Sequence, residues 1–254
     1  MATLSSGMKL RRSRTEINLL KEQVEVLSNA TAGGSEEVII GDSLVMQQVF
    51  STVEKLRDTD ANILILGENG TGKDVIARLL YRNSPRYGKP FVTIDLGSIP
   101  EQLFESELFG YEKGAFTDAR KAKAGRMEVA TGGTLFLDEI GNLSLPMQAK
   151  LLTAIEKRCI SRLGSTQATP IDVRLICATN ADIRRLVDEG DFRQDLLYRI
   201  NTIELHIPPL RERGNDILLL AEYFLQRYAR KYQKEMRGLT REAKKQVVEI
   251  CLAG

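Results

Sequence analysis

The chain has 254 residues, with 36 Lys and Arg against 34 Asp and Glu, and is 43% hydrophobic and 28% charged. Such proportions exclude a disordered, collagen-like or disulfide-framework protein, and the length suits one or two domains. Three widely spaced cysteines without metal-ligand spacing, a lone histidine, no apolar run of the ~20 residues that span a bilayer and no signal-peptide core point to a cytoplasmic protein without a zinc site.

The first predicted element is a helix. Leu10, Ile17 and Val24 fall seven apart, and Leu20 and Leu27 complete an a/d pattern of about three heptads. Either a coiled coil or an amphipathic helix docked on its own chain fits so short a pattern. Residues 1–34 carry five basic and three acidic side chains, and the remainder is balanced, without the basic excess of a module that lives on phosphate backbones. The stretch Ser28–Ser35 reads as a flexible linker, so the first unit is residues 1–34.

From residue 35, β-rich apolar runs alternate with helical patterns. Strands are predicted at Asn62–Leu66, Phe91–Asp95, Thr134–Asp138, Val173–Ala178 and Thr202–His206, with a helix over Asp74–Tyr81. That alternation implies an α/β fold with a five-stranded parallel sheet, flanked by helices and binding ligands beyond its carboxyl ends. After residue 212 the pattern turns purely helical, which sets units of 35–212 and 213–254.

Gly67-Glu68-Asn69-Gly70-Thr71-Gly72-Lys73 joins the first strand to the following helix, the context of a phosphate-binding P-loop. Glycines let backbone N–H groups turn inward, the helix N-terminus adds its dipole, and Lys73 supplies a point charge. Asp74 stands where the general pattern has a Ser or Thr hydroxyl for Mg²⁺. The apolar strand ending in Asp138-Glu139 answers the loop: Asp138 would hold Mg²⁺, directly or through water, and Glu139 would polarise the attacking water. Asn180, ending another buried strand, can sense the γ-phosphate or position that water.

At these residues the chain resembles the AAA+ ATPases that activate sigma-54 RNA polymerase, the NtrC-type bacterial enhancer-binding proteins. The match runs from about Ile39 to the last residue. It takes in Gly67–Asp74, where the family is usually acidic at the last position, together with Glu107–Thr117, Ala130–Glu139, Phe192–Ile200 and Pro208–Arg213. The resemblance implies ATP and Mg²⁺ as cofactors and a P-loop AAA+ fold ending in a helical lid. It implies that Ile39, Ile40 and Gly41 lie against adenine, and that Gly114, Ala115, Phe116, Thr117, Asp118 and Ala119 form a loop tip touching the sigma factor of the polymerase holoenzyme. It casts Arg193 and Arg199 as fingers reaching a neighbour's nucleotide in a hexameric ring, with the first helix as a dimerising linker. On spacing alone, at least one of these arginines can equally pair with Asp195 or a surface carboxylate.

Three departures follow from the same comparison. Asp118 replaces a family glycine, which calls the loop's flexibility into question. Asp95 replaces an Asn that hydrogen-bonds the catalytic Glu, so a carboxylate facing Glu139 would repel it or raise one pKa. The sequence stops at Gly254, before the second sensor arginine and the helix-turn-helix. The expectation is therefore a response-regulator fragment with weak ATP binding, slow hydrolysis and no sequence-specific DNA binding. A different AAA+ remodeller is argued against by the Glu107–Thr117 segment. A remnant that binds nucleotide without turnover is the remaining alternative.

Overall fold

Three of the five principal β-rich runs are apolar on both faces, which only a sheet covered on both sides can accommodate. In the computed structural model they form such a sheet; the structure describes residue 20, residues 40–235 and residues 238–253. Apart from Leu20, the heptad pattern of Leu10–Leu27 lies outside the described residues, as do the linker, Ile39, the boundary at residues 34–35 and Gly254.

Helix α1 (Leu44–Lys55) precedes strand β1 (Ile63–Leu66), helix α2 (Lys73–Arg82), strand β2 (Phe91–Asp95) and helix α3 (Glu101–Phe109). A hairpin arm follows, made of β3 (Gly110–Tyr111) and β4 (Lys123–Ala124), then the single turn α4 (Arg126–Val129) and β5 (Thr134–Asp138). Helix α5 (Leu145–Lys157) leads to a second hairpin, β6 (Cys159–Ser161) and β7 (Ala168–Pro170), and to β8 (Arg174–Thr179). The core closes with α6 (Ile183–Glu189), α7 (Gln194–Ile200) and β9 (Ile203–His206), before helices α8 (Asp216–Lys231) and α9 (Arg241–Ala253).

The sheet order is β2-β5-β8-β1-β9, parallel throughout. Side-chain alternation divides the core in two. Leu64, Leu135, Leu137, Leu175 and Cys177 face the layer containing α3 and α5, whereas Ile63, Ile65, Phe136, Ile176 and Ala178 face α1 and α2. Every residue of β8 is buried. Truncating a side chain as deep as Phe136 costs about 3–5 kcal/mol.

Register decides what appears at the carboxyl edge. Asp95 is the partner of Asp138, and Leu66 is flanked by Thr179 and His206, so the P-loop, Asp138 and Asn180 emerge side by side. The two hairpins stand away from the sheet and lean on one another through a bridge between Tyr111 and Leu163. At the root of the first, Gly110 (φ +79°) and Gly125 abut so closely that a Cβ on Gly110 would sit 2.5 Å from the Gly125 nitrogen, and one on Gly125 would sit 2.3 Å from the Phe109 carbonyl carbon. Only glycine fits either position. No helix among the described residues is long and apolar enough to cross a membrane.

Candidate active site

The loop from Gly67 to Lys73 turns out of β1 and into α2. Its last turn is left-handed, with Gly72 at φ +90° as the N-cap residue, a conformation that a Cβ would oppose. Thr71 braces the loop by donating from its hydroxyl to the Glu68 carbonyl at 2.8 Å. Among the described residues, the N–H groups of Gly70, Gly72, Lys73 and Asp74 donate to no backbone carbonyl and no side-chain acceptor. A row of unused donors at a helix N-terminus fits a phosphate group, so a nucleoside phosphate chain suits the residues present.

Lys73 is 7% exposed. Its Nζ donates to the Gly67 carbonyl at 3.1 Å and stands 3.5 Å from Oε1 of Glu139. Glu139 has the left-handed φ of +54°, a strained conformation for a non-glycine residue and one that concentrates at functional sites. Its Oε2 lies 3.5 Å from the backbone nitrogen of Asn180, whose side chain is exposed. The loop, the β5 carboxylates and the end of β8 therefore converge on one point.

Three carboxylates share this edge. Asp138, half-buried, accepts the Glu139 N–H at 3.0 Å. Burial, then the charges of Glu139 and Asp95, push its pKa above the ordinary carboxylate value, opposed by that N–H and by Lys73. Asp95 turns one oxygen to the N–H of Gly97 at 3.0 Å and is otherwise exposed. A half-buried carboxylate with a raised pKa gains from a hard cation beside it, so Asp138 fits Mg²⁺. Asp74 is exposed in the first turn of α2.

Arg193 and Arg199 are elsewhere. Arg193 is the N-cap residue of α7 and forms a two-pronged ion pair with Asp195, at 3.0 and 2.7 Å, which holds the Asp195 carboxyl below its usual range. Its backbone N–H is fixed at 2.8 Å by Oε1 of the buried Gln148. Arg199, in the last turn, lines a cavity of about 290 Å³ at the amino edge of the sheet, beside Asn62 and Arg86. Neither contacts the chain's own P-loop, and neither shares a helix face with the other.

The segment Gly114–Ala119 is the tip of the β3–β4 arm. Ala119 is buried and closes the turn by accepting the Gly114 N–H at 2.9 Å, while Phe116 is 44% exposed and stacks at a tilt on Tyr111 with ring centroids 4.8 Å apart. Thr117 and Asp118 are exposed. Ile40 and Gly41 are partly buried beside the head of α8, where a Cβ on Gly41 would lie 3.3 Å from a carboxylate oxygen of Asp216.

Sequence reasoning missed several groups around the loop. Arg211 clamps Glu68 through two hydrogen bonds of 2.7 and 2.6 Å and holds its carboxyl below the usual range. Arg213 donates to the Thr71 carbonyl, and Asp216 receives the chain at Asp42 and Ser43. The Pro208–Arg213 run was the available signal, but nothing in a run of charges reveals which are buried.

The family described as the sigma-54 interaction domain matches residues 39–206, and the AAA+ ATPase lid domain matches residues 211–250. The transcriptional regulatory protein ZraR of Klebsiella oxytoca is 47% identical over 216 residues, covering 85% of this chain and 49% of that protein. The Nif-specific regulatory protein of Herbaspirillum seropedicae is 44% identical over 253 residues, covering 99% of this chain and 47% of its own length. The chain thus spans about half the length of these curated relatives. Among solved structures, NtrX from Brucella abortus in complex with ADP superposes with a TM-score of 0.77 at 27% identity, over 98% of this chain and 56% of that one. A five-stranded parallel sheet with a P-loop at its carboxyl edge, followed by lid helices, is the fold these matches share, and the chain belongs to the sigma-54 interaction domain family of AAA+ ATPases.

Proposed function

We propose that the chain hydrolyses ATP in a ring of subunits and uses the energy to remodel the closed promoter complex of sigma-54 RNA polymerase. The observation that carries this reading is the convergence of Lys73, Asp138 and Glu139 at the mouth of a loop with unused N–H donors. Loop N–H groups and Lys73 bind the phosphates. Mg²⁺, held by Asp138, would neutralise charge on the β- and γ-phosphate oxygens. Glu139 takes a proton from water as the water oxygen bonds to the γ-phosphorus and the bond to the β,γ-bridging oxygen breaks, giving ADP and phosphate. Asn180 orients the γ-phosphate or the water, and Ile40 and Gly41 flank the base.

Arg193 and Arg199 act on the neighbouring subunit's nucleotide, which is why they stand apart from the chain's own loop. A planar guanidinium suits the charge that develops on a transferring phosphoryl group. The arm tip, with Phe116 and Thr117 outermost, touches the sigma factor, since an exposed aromatic on a surface loop is a binding feature. The units assigned at 35–212 and 213–254 serve as motor core and lid. The ring is hexameric and the protein a response-regulator ATPase of the NtrC type.

Two substitutions test the site. Lys73→Ala is expected to abolish ATP binding, and Glu139→Gln to keep binding while removing turnover, both measured with a fluorescent ATP analogue and a phosphate-release assay. Tight ATP binding by the first, or normal turnover by the second, overturns the assignment.

A further inference from the structure

Two buried charges at the head of α8 have no part in the chemistry above. Asp216 is 0% exposed. A carboxylate so deeply buried is costly unless its lone pairs are filled. They are filled by the segment that follows Gly41: Oδ1 accepts the N–H of Asp42 at 2.7 Å and of Ser43 at 2.9 Å, and Oδ2 accepts the Ser43 hydroxyl at 2.6 Å. Ser43 is the N-cap residue of α1, yet its hydroxyl serves Asp216 and leaves its own helix uncapped.

Arg213 is the second charge, 6% exposed. Its Nε donates to the Pro208 carbonyl at 2.9 Å, and its Nη2 donates to the Thr71 carbonyl of the P-loop at 2.6 Å. Burial weakens its hold on the proton, and the charge of Asp216 offsets only part of that loss. One tight turn joins the pair, closed by the Asp216 N–H donating to the Arg213 carbonyl at 3.0 Å. A single turn therefore grips the segment beside Ile40 and Gly41 with one residue and the P-loop with another.

We propose that Asp216 and Arg213 are positioning residues that set the spacing between the base side and the phosphate side of the nucleotide site, so that base contacts contribute to affinity only while the pair is intact. This rests on the reading of the site as an ATP site. It assigns neither residue a role in the bond-breaking step. The loss should fall on ligands that carry a base, and coupling through a shared buried charge should make substitutions at the two ends non-additive.

The test compares ATP with inorganic tripolyphosphate, which has the phosphates and no base, as ligands of the full chain. Ser43→Ala removes one hydrogen bond to the Asp216 carboxylate and should weaken ATP about tenfold, as loss of a bond to a charged group does. Asp216→Asn keeps the shape and removes the charge, with the same expected direction. Both should leave tripolyphosphate affinity within twofold and the turnover of saturated enzyme within twofold. Arg213→Lys should weaken both ligands, and its effect on ATP should be smaller in the Ser43→Ala background than alone.

Should Asp216→Asn fail to fold, Ser43→Ala and the double variant decide alone. Equal losses for ATP and tripolyphosphate in Ser43→Ala, no loss for either, or strict additivity with Arg213→Lys would falsify the proposal. Lys73→Ala is the control. If it still binds ATP tightly, the site assignment itself fails; if it loses ATP while Ser43→Ala binds like the parent, only the positioning role fails.

Discussion

Lys73 and Glu139 stand 3.5 Å apart, the lysine buried at the start of α2 and the glutamate in left-handed backbone just past β5. A single Nζ thus serves two clients, the carboxylate and the phosphate chain it is proposed to bind. Glu139→Gln removes the competing charge, so ATP affinity should rise about two- to tenfold while turnover falls by about 10² or more, the usual size of a general-base contribution. Titration of a fluorescent ATP analogue, alongside single-turnover hydrolysis, reads both numbers. Weaker binding by the glutamine variant would show that Glu139 does not compete for Lys73.

A pH dependence follows from Asp138. Its native pKa lies above the ordinary 3.8, chiefly through burial, and Asp95 adds to the rise. The carboxyl therefore loses its charge at a higher pH than an unfolded aspartate does. Its ionised form is the penalised one in the folded protein, and that penalty disappears as pH falls through the native pKa. Metal-dependent ATP binding should accordingly fail on the acid side above pH 3.8, and Asp95→Asn should move that limb to lower pH. An acid limb that stays in place or moves upward in Asp95→Asn would remove Asp95 from the electrostatics of the site.

The two arginines can be tested by mixing. Arg193 is held by Asp195 in an exposed pair, and solvent-screened pairs of this kind contribute little, so the guanidinium is readily released to another subunit. Neither Arg193→Ala, Arg199→Ala nor Lys73→Ala should hydrolyse ATP appreciably alone. Combining Lys73→Ala with either arginine variant should restore part of the rate, because intact fingers then face intact P-loops. With subunit exchange shown independently by fluorescence transfer, no gain on mixing would make the arginines structural.

For the arm, Phe116→Ala should leave ATP turnover within about twofold, because the ring is 44% exposed and its aromatic contact is with Tyr111 of the same arm. It should abolish capture of the sigma factor in a pull-down with a transition-state analogue. Asp118 is exposed and its carbonyl accepts the Arg120 N–H at 2.7 Å, so Asp118→Gly loosens a defined turn. That variant should strengthen capture. Equal capture by parent and both variants would show that the tip is not the contact.

The sheet was legible because buried parallel strands must be apolar along their whole length, and Ile63–Leu66 and Thr134–Asp138 can be read for no other reason. The P-loop and the β5 carboxylates were legible because each sits at a strand end in an unusual local composition. The short hairpins were not, since strands of two or three residues owe their pairing to tertiary contacts such as Tyr111 against Leu163. Nor could the sequence distinguish Arg213, buried against Thr71, from Arg211, exposed on Glu68, although both belong to one run of charges. Spacing left Arg193 open between a finger and a partner for Asp195, and the folded chain holds it on Asp195.

The abutting glycines at the base of the arm have a mechanical meaning. With Gly110 against Gly125, the hinge point has no side chains to re-pack and no space to compress. The root of the arm is thus a contact of backbone on backbone, bounded by α3 on one side and α4 on the other. Beyond that contact the chain passes through α4 and the turn at Gly132 into β5, which ends at Asp138, so the root of the arm is tied in sequence to the strand that carries the proposed metal ligand.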